Sequence, residues 1–177
     1  MNYWQYLSAT FFGSIFGFTF SITLYYLTEK IKNNEEKKKV LSNLIKEIDF
    51  NISFLESYKE EFDKMLRKIT VDDKNIYTIF KFDKLQRLFI FDSFNRGILY
   101  DFLMADEISE LDSMLSYFSA STNNFASNTL SNYKEGNIDK SQALSNFEYD
   151  KEQIQRYLAF QKKLKSKIKN KKTEESN

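Results

Sequence analysis

The sequence contains no cysteine, no histidine and no proline, and it has only four glycines among 177 residues. Without cysteine and histidine, the chain lacks the side chains for disulfides, thiolate nucleophiles, Cys/His metal sites and Ser-His-Asp triads. Four glycines are too few for a glycine-rich phosphate loop, and neither common loop motif occurs. We therefore predict no catalytic residue, no metal ligand and no cofactor, and we expect the chain not to be an enzyme.

The absence of proline also bears on the fold. Proline usually interrupts helices and marks loops, so a chain of this length without it is expected to form long helices. The 26 basic and 25 acidic residues leave a formal charge of +1, which gives no general attraction to nucleic acid. Sequence-specific binding of nucleic acid is therefore not expected.

A long uncharged stretch runs from Tyr3 to Thr28 and predicts a transmembrane helix over residues 1–28. At about 1.5 Å per residue, its length exceeds the roughly 30 Å hydrocarbon core of a bilayer. Aromatic side chains of the kind that anchor a span at the lipid–water interface lie near both ends. The predicted interfacial anchors are Tyr3, Trp4, Tyr6, Tyr25 and Tyr26.

Positive charge follows this stretch and does not precede it, since residues 29–40 form a basic juxtamembrane segment. The positive-inside rule therefore places the N-terminus outside and the C-terminal part in the cytoplasm. We expect a cell-membrane protein, in the cytoplasmic membrane if the host is bacterial. The missing basic n-region and cleavage site favour an uncleaved anchor over a signal peptide.

Small residues recur at every fourth position of the span, at Ala9, Gly13, Gly17 and Ser21. Such a stripe lets helix backbones approach closely in lipid, which predicts self-association into a homo-oligomer. Small residues are also common in spans that do not associate. The hydroxyl side chains nearby either line a contact or a narrow wet path, or bond to carbonyls of their own helix.

Beyond the basic segment, apolar residues repeat with alternating spacings of three and four, which indicates a helix with a coiled-coil-like seam. Further apolar residues widen this seam, so we predict a packed bundle rather than a two-stranded coiled coil. Asn51 interrupts the seam and either fixes the register between chains or contacts a loop of its own chain. The seam comprises Leu41, Leu44, Ile48, Asn51, Leu55, Tyr58, Phe62, Met65 and Ile69.

The predicted fold class is all-α, with the transmembrane helix continuing into a cytosolic bundle of about four helices over residues 41–168. The polar residues 169–177 are predicted to be a disordered tail. The pattern of residues 76–82 fits either a short strand or an extended linker.

Several residues are predicted to begin or end the remaining helices. Asp83 should cap a helix that Gly97 ends, and Asp106 should cap the next, whose apolar seam spans residues 108–125. Asp139 should begin the last helix, which we expect to end near residue 168.

The C-terminal region carries the most concentrated positive charge, with no acidic residue between Gln153 and Thr173. Near a bilayer such a run binds anionic headgroups, and it is equally suited to an anionic ligand. The alternative is a solvated helix end whose cations complement the helix dipole. The predicted contacts for anionic lipid or ligand are Lys37, Lys38, Lys39, Lys162, Lys163, Lys165, Lys167 and Lys169.

The layout resembles that of small bacterial single-pass membrane proteins, among them accessory effectors of anti-phage systems, although no motif assigns the chain to a family. The first functional hypothesis is a gated membrane effector in antiviral or stress defence. Its bundle senses a trigger, such as an anionic small ligand, and its associated spans act on the membrane. The alternative is a non-enzymatic membrane-tethered scaffold or immunity-type protein that binds a protein partner. A hydrolase using Glu60 and Asp63 would need a pocket that the sequence does not predict.

Overall fold

The computed structural model describes residues 3–174, and within this range the chain is all-α, with no β-strand. The all-α part of the predicted fold class is therefore confirmed, whereas a bundle of about four helices is not. The α-helices are α1 (Tyr3–Thr70), α2 (Leu88–Asn95), α3 (Ala105–Tyr117), α4 (Ala120–Glu135) and α5 (Lys140–Glu174). Two short 3-10 helices, Phe82–Lys84 and Ile98–Asp101, lie before and after α2.

The chain divides into two compact units, Met1–Val40 and Leu41–Asn177. The first unit is formed by the beginning of α1, and its large apolar side chains are exposed. Phe12, Phe16 and Phe20, for example, each expose more than half of their surface. An apolar window of this helix has a mean hydropathy of 1.3, and the helix is long and apolar enough to cross a membrane.

The second unit is built around the rest of α1, whose nine predicted seam residues are all buried. Their burial confirms the predicted seam. Alternating steps of three and four residues return to the same helix face, which here faces the core. Phe62 lies at the centre of an aromatic cluster, with its ring about 6 Å from those of Phe80, Phe82 and Phe147. This cluster packs α1 against α5 and against the segment between α1 and α2.

Helix α5 runs antiparallel to α1 within the second unit. Positions seven residues apart on α1 return to the same face and contact basic residues of α5. Residue numbers on α5 fall as those on α1 rise, so the C-terminal end of α5 lies at the Leu41 end of the unit. The contacts, in order, are Asp49 with Lys165, Glu56 with Lys162, Asp63 with Lys151 and the Thr70 carbonyl with Lys140.

The sequence predicted that Asp83 caps α2, and this prediction is wrong. Asp83 lies in the first 3-10 helix, and α2 begins at Leu88. The carboxylate of Glu47 on α1 instead accepts the N–H groups of Phe89 and Ile90, at 2.8 and 2.9 Å. These donors lie in the first turn of α2, where a local cap would normally satisfy them. The predicted end of this helix is confirmed, since Arg96 is its C-cap and the next residue, Gly97, adopts a left-handed φ of 73°.

Helix α3 begins at Ala105, so the predicted cap Asp106 lies inside the helix. Met104 occupies the N-cap position, and its N–H donates to the carboxylate of Glu107 at 2.9 Å. A glutamate three residues after the cap commonly accepts this bond, because its side chain reaches back over the first turn.

The predicted seam over residues 108–125 is divided between two helices, with the break at Phe118 and Ser119. Ser119 has extended backbone angles and caps α4, since its side chain accepts the N–H of Thr122. The hydroxyl of Thr122 in turn donates to the carbonyl of Tyr117 and closes the end of α3.

Helix α5 begins where the sequence predicted, with the carboxylate of Asp139 accepting the N–H of Gln142 at 2.7 Å. Its end differs from the prediction, because residues 169–174 are helical rather than disordered. Lys171 holds this end by donating to the Asp101 carbonyl at 2.9 Å and by lying over the ring of Phe102. The last three residues, 175–177, lie outside the described part of the chain.

Candidate functional site

A groove of about 760 Å³ lies in the second unit between the end of α1, the linker that follows it and α4. We call it the 76–81 groove, after the linker residues that line it. Helix α1 contributes Lys64 and Lys68 to its walls, and α4 contributes Lys134. The floor is apolar and includes Ile76 and Phe80.

The linker residues of the groove form neither helix nor strand, and their side chains alternate between buried and exposed. Ile76 and Phe80 are buried, whereas Tyr77 is 91% exposed and Ile79 is 78% exposed. A two-residue period is the mark of extended backbone. Of the two sequence interpretations, the extended linker is therefore the one observed, and it pairs with no other strand in the described structure.

The main chain of this linker is hydrogen-bonded at both ends and has no hydrogen bonds between them in the part of the chain that the structure describes. At one end Lys134 donates to the carbonyl of Ile76 at 2.9 Å, and at the other the Lys81 N–H donates to the Tyr58 hydroxyl at 3.2 Å. Burial raises the pKa of Tyr58 far above its usual value, so this hydroxyl stays neutral. Within residues 3–174, the N–H and C=O groups of residues 77–80 have no hydrogen-bond partner.

The groove carries an excess of positive charge. Lys81 pairs with Glu61 at 2.8 Å, but Lys64, Lys68 and Lys134 have no carboxylate partner in the described part of the chain. Lys68 donates to the Asn75 carbonyl at 3.1 Å, next to the Ile76 carbonyl that holds Lys134. Two ammonium groups therefore approach neighbouring carbonyls at one end of the groove, where they attract an anion.

The lysines that the sequence singled out on α5 are engaged within the second unit. Lys162 pairs with Glu56 at 2.6 Å, and Lys165 pairs with Asp49. Lys169 also interacts within the chain. Contact of these lysines with an anionic lipid or ligand stays a prediction, and such a contact would compete with the acidic partners.

Lys163 and Lys167 converge on one carboxylate, that of Glu107, at 2.7 and 2.6 Å. These two ammonium groups, together with the N–H of Met104, lower the pKa of Glu107 to about 2. The arrangement fastens the beginning of α3 to the end of α5.

The basic groove was missed in the sequence because its lysines come from two helices that are distant along the chain. The only local signal is the spacing of Lys64 and Lys68, which places them one turn apart on the same face of α1. Lys134 reaches the groove through the packing of α4 against the linker.

Asn51 contacts a loop of its own chain, which is one of the two alternatives left open by the sequence. Its side-chain amide is fully buried, donates to the Gln86 carbonyl at 2.8 Å and accepts the Gln86 N–H at 2.9 Å. The residue is therefore satisfied without a second chain, and its predicted role in the register between chains has no counterpart in these contacts.

The hydroxyl side chains of the first unit bond to their own helix. Ser14 donates to the Phe11 carbonyl at 2.9 Å, and Ser21 donates to the Gly17 carbonyl at 2.8 Å. Thr19 and Thr23 make equivalent bonds to carbonyls four residues earlier. This is the local alternative considered from the sequence. These hydroxyl groups therefore already donate a hydrogen bond within their own helix.

The small-residue stripe is open where the structure describes it, since a methyl group added at Gly13 or Gly17 would meet nothing within 4 Å. Trp4, Tyr25 and Tyr26 are exposed, as interfacial anchors would be. Of the basic juxtamembrane residues, Lys38 and Lys39 are exposed, while Lys37 is half-buried and interacts within the chain. The side chains of Tyr3, Tyr6 and Ala9 lie outside the described residues.

The carboxylates considered for hydrolysis lie elsewhere in the second unit. Asp63 pairs with Lys151 at 2.6 Å, as part of the contact between α1 and α5. Another buried acid of this unit is Asp150, a residue that the sequence did not single out. Burial raises the pKa of Asp150 to about 6, while a hydrogen bond from the Tyr117 hydroxyl opposes that increase.

No protein-family model, no curated protein and no solved structure matches this chain. The chemistry of the 76–81 groove therefore has to be argued from its own residues. Three lysines without carboxylate partners, an apolar floor and free main-chain groups suit a partner that carries negative charge and has hydrogen-bonding groups of its own.

Proposed function

We propose that the chain is a single-pass membrane-anchored recognition protein. The first unit spans the membrane with its N-terminus outside, and the second unit lies in the cytoplasm and binds an anionic partner in the 76–81 groove. The observation that carries the proposal is the excess charge of Lys64, Lys68 and Lys134 beside an open stretch of main chain. Binding alone is proposed, without a catalytic step.

The membrane assignment is supported by the length of the uncharged helix and by its exposed apolar surface. The basic residues that follow it, including Lys38 and Lys39, support the proposed orientation through the positive-inside rule. The hydroxyls of Ser14 and Ser21, which bond to their own helix, suit a span that contacts lipid and acts as a tether.

Binding of a polyanion to the full chain in lipid nanodiscs tests the groove. We expect fluorescently labelled polyglutamate to bind, and the binding to weaken as salt is raised, because the attraction is electrostatic. The double variant Lys68→Gln/Lys134→Gln should lose most of this binding. If the double variant binds as tightly as the wild type, the groove is not the recognition site.

Lys171→Gln is the matched control, because Lys171 resembles Lys134 in its contacts. Each lysine donates to a main-chain carbonyl and lies over an aromatic ring, but Lys171 lies on α5 rather than in the groove. Lys134→Gln alone and Lys171→Gln each remove one positive charge from similar settings. We expect Lys171→Gln to leave polyglutamate binding unchanged.

A gated membrane effector is the second candidate, and the open stripe at Gly13 and Gly17 favours it. In this case spans associate into a homo-oligomer through the stripe, and a trigger such as an anionic small ligand bound by the second unit changes the membrane. Defence against phage infection or another stress is the setting in which such an effector would act.

Exchange of the span separates the two candidates. A poly-leucine helix in place of residues 3–28 should preserve the function of a tether but abolish that of an effector. Membrane potential measured with a voltage-sensitive dye during phage infection gives the readout. Depolarisation that is lost in Gly17→Leu at equal membrane level supports the effector, whereas an unchanged potential in the wild type supports the tether.

A further inference from the structure

We infer that the partner of the 76–81 groove is an extended acidic peptide segment, which pairs with the main chain of residues 77–80 as an added strand. The inference rests on the proposed function and names the class of partner that the groove takes.

The main chain of the linker has the form that strand addition requires. Residues 77–80 have the alternating pattern of extended backbone, and their N–H and C=O groups have no partner within residues 3–174. Lys134 and Tyr58 hold the two ends, so the segment is presented in an ordered form. A peptide that binds such an edge gains main-chain hydrogen bonds with little loss of conformational freedom in the receptor.

The exposed side chains of the linker favour a polypeptide over a small ion. Tyr77 and Ile79 project outward on the same side of the segment, with almost their whole side chains in solvent. In a strand pair, residues opposite such positions pack against them. A phosphate ion would use the lysines but would leave both apolar side chains and the free main chain uncovered.

The charge of the groove selects an acidic segment. Lys68 and Lys134 lie at the Asn75 end of the linker, and Lys64 lies one turn before Lys68 on α1. Acidic side chains at this end of the peptide would find cations that no carboxylate of the described chain neutralises. A second copy of the linker would instead bring its own lysines close to these, and like charges repel.

Fluorescence anisotropy with the full chain in nanodiscs tests the inference. The probe is a short labelled peptide of alternating glutamate and valine. Such a peptide favours an extended conformation, in which its glutamates all lie on one face. Two related peptides serve as comparisons, one with lysine in place of glutamate and one with N-methyl groups on alternate amides. The methyl groups remove N–H donors and block strand pairing while the charge stays the same.

Two pairs of variants separate main-chain pairing from charge. Thr78→Pro removes one of the unpaired N–H groups of the linker and is compatible with extended backbone, whereas Thr78→Ala removes the side chain and keeps the N–H. Lys134→Gln removes a groove charge, and Lys171→Gln is its control. We expect Thr78→Pro and Lys134→Gln each to weaken binding of the acidic peptide by roughly three- to tenfold. Thr78→Ala and Lys171→Gln should bind as the wild type does.

The outcomes distinguish this inference from the proposed function. Equal binding of the N-methylated and unmethylated acidic peptides overturns strand addition. Binding of the acidic peptide that depends on Lys134 but is unchanged in Thr78→Pro also overturns it, while the proposed function stands. A concentration-dependent dimer that Thr78→Pro abolishes identifies a second copy as the occupant and overturns the acidic peptide. If no anionic probe binds, both proposals fail.

Discussion

The side-chain amide of Asn51 and the main chain of Gln86 form a closed pair of hydrogen bonds, with N–O distances of 2.8 and 2.9 Å. One turn earlier on the same face of α1, the Glu47 carboxylate accepts two N–H groups from the first turn of α2. Two buried polar residues of one helix therefore position a loop and the beginning of another helix. Both residues therefore make contacts between elements of the fold, although Asn51 belongs to the otherwise apolar seam of α1.

Asn51→Leu should destabilise the second unit by about 1–3 kcal/mol, because the N–H and C=O groups of Gln86 lose their partners. The oligomeric state should not change, since Asn51 is satisfied within its own chain. Denaturant unfolding followed by circular dichroism measures the first effect, and light scattering on the detergent-solubilised chain measures the second. Ser57→Leu, at an exposed position of α1, is the control and should leave stability nearly unchanged. A changed oligomer in Asn51→Leu would restore the register role.

Glu107→Gln should make the unfolding temperature less dependent on pH in the acidic range. The pKa of Glu107 is lowered from 4.5 to about 2 by Lys163, Lys167 and the Met104 N–H. A carboxyl group whose pKa is lowered by folding contributes its full stabilisation at pH values above its ordinary pKa. This contribution is lost as the pH falls from 4.5 towards 2. The wild type should therefore lose stability over this interval more steeply than the variant.

The matched control for Glu107→Gln is Glu110→Gln, which removes an acid from the same helix. Glu110 pairs with Arg156 and is more exposed than Glu107. At neutral pH we expect Glu110→Gln to lower the unfolding temperature less than Glu107→Gln does, because exposed ion pairs contribute little to stability. Equal effects of the two substitutions would show that the Glu107 cluster has no special weight.

Asp150→Asn should raise stability at neutral pH by about 1–3 kcal/mol, since burial raises the pKa of Asp150 from 3.8 to about 6. An acid with a raised pKa binds its proton more tightly in the folded state, so the wild type gains stability as the pH falls from 6 towards 3.8. The variant lacks this gain, and its amide oxygen can still accept the Tyr117 hydroxyl. Thermal unfolding at several pH values checks both effects, with the exposed Asp112→Asn as control. Lower stability of Asp150→Asn at neutral pH would contradict the assignment.

Features decided by neighbouring residues could be predicted from the sequence. The seam of α1 follows from a spacing of three and four residues, and Gly97 and Asp139 mark helix ends through local backbone and capping preferences. The beginning of α2 could not be predicted, because its cap is Glu47, which lies on another helix. The helical end of α5 likewise depends on the contact of Lys171 with the loop at Asp101.

In the candidate site, too, the sequence pattern differs from what tertiary packing decides. The run of lysines on α5 is conspicuous in the sequence, yet Lys162 and Lys165 pair with acids that are more than a hundred residues earlier. The lysines of the 76–81 groove are inconspicuous, because Lys68 and Lys134 come together only through packing. The charge available to a partner depends on which cations the fold neutralises, and the sequence does not contain that information locally.

The absence of native cysteine makes the proposed membrane orientation testable by labelling. We expect Asn2→Cys to react with a membrane-impermeant maleimide in intact cells, because the N-terminus is proposed to lie outside. Asn128→Cys, at an exposed position of α4, should react only after the membrane is permeabilised. The wild type carries no thiol and gives the background for both. Labelling of Asn128→Cys in intact cells would reverse the orientation, and it would also move the 76–81 groove to the side of the membrane where cytoplasmic partners cannot reach it.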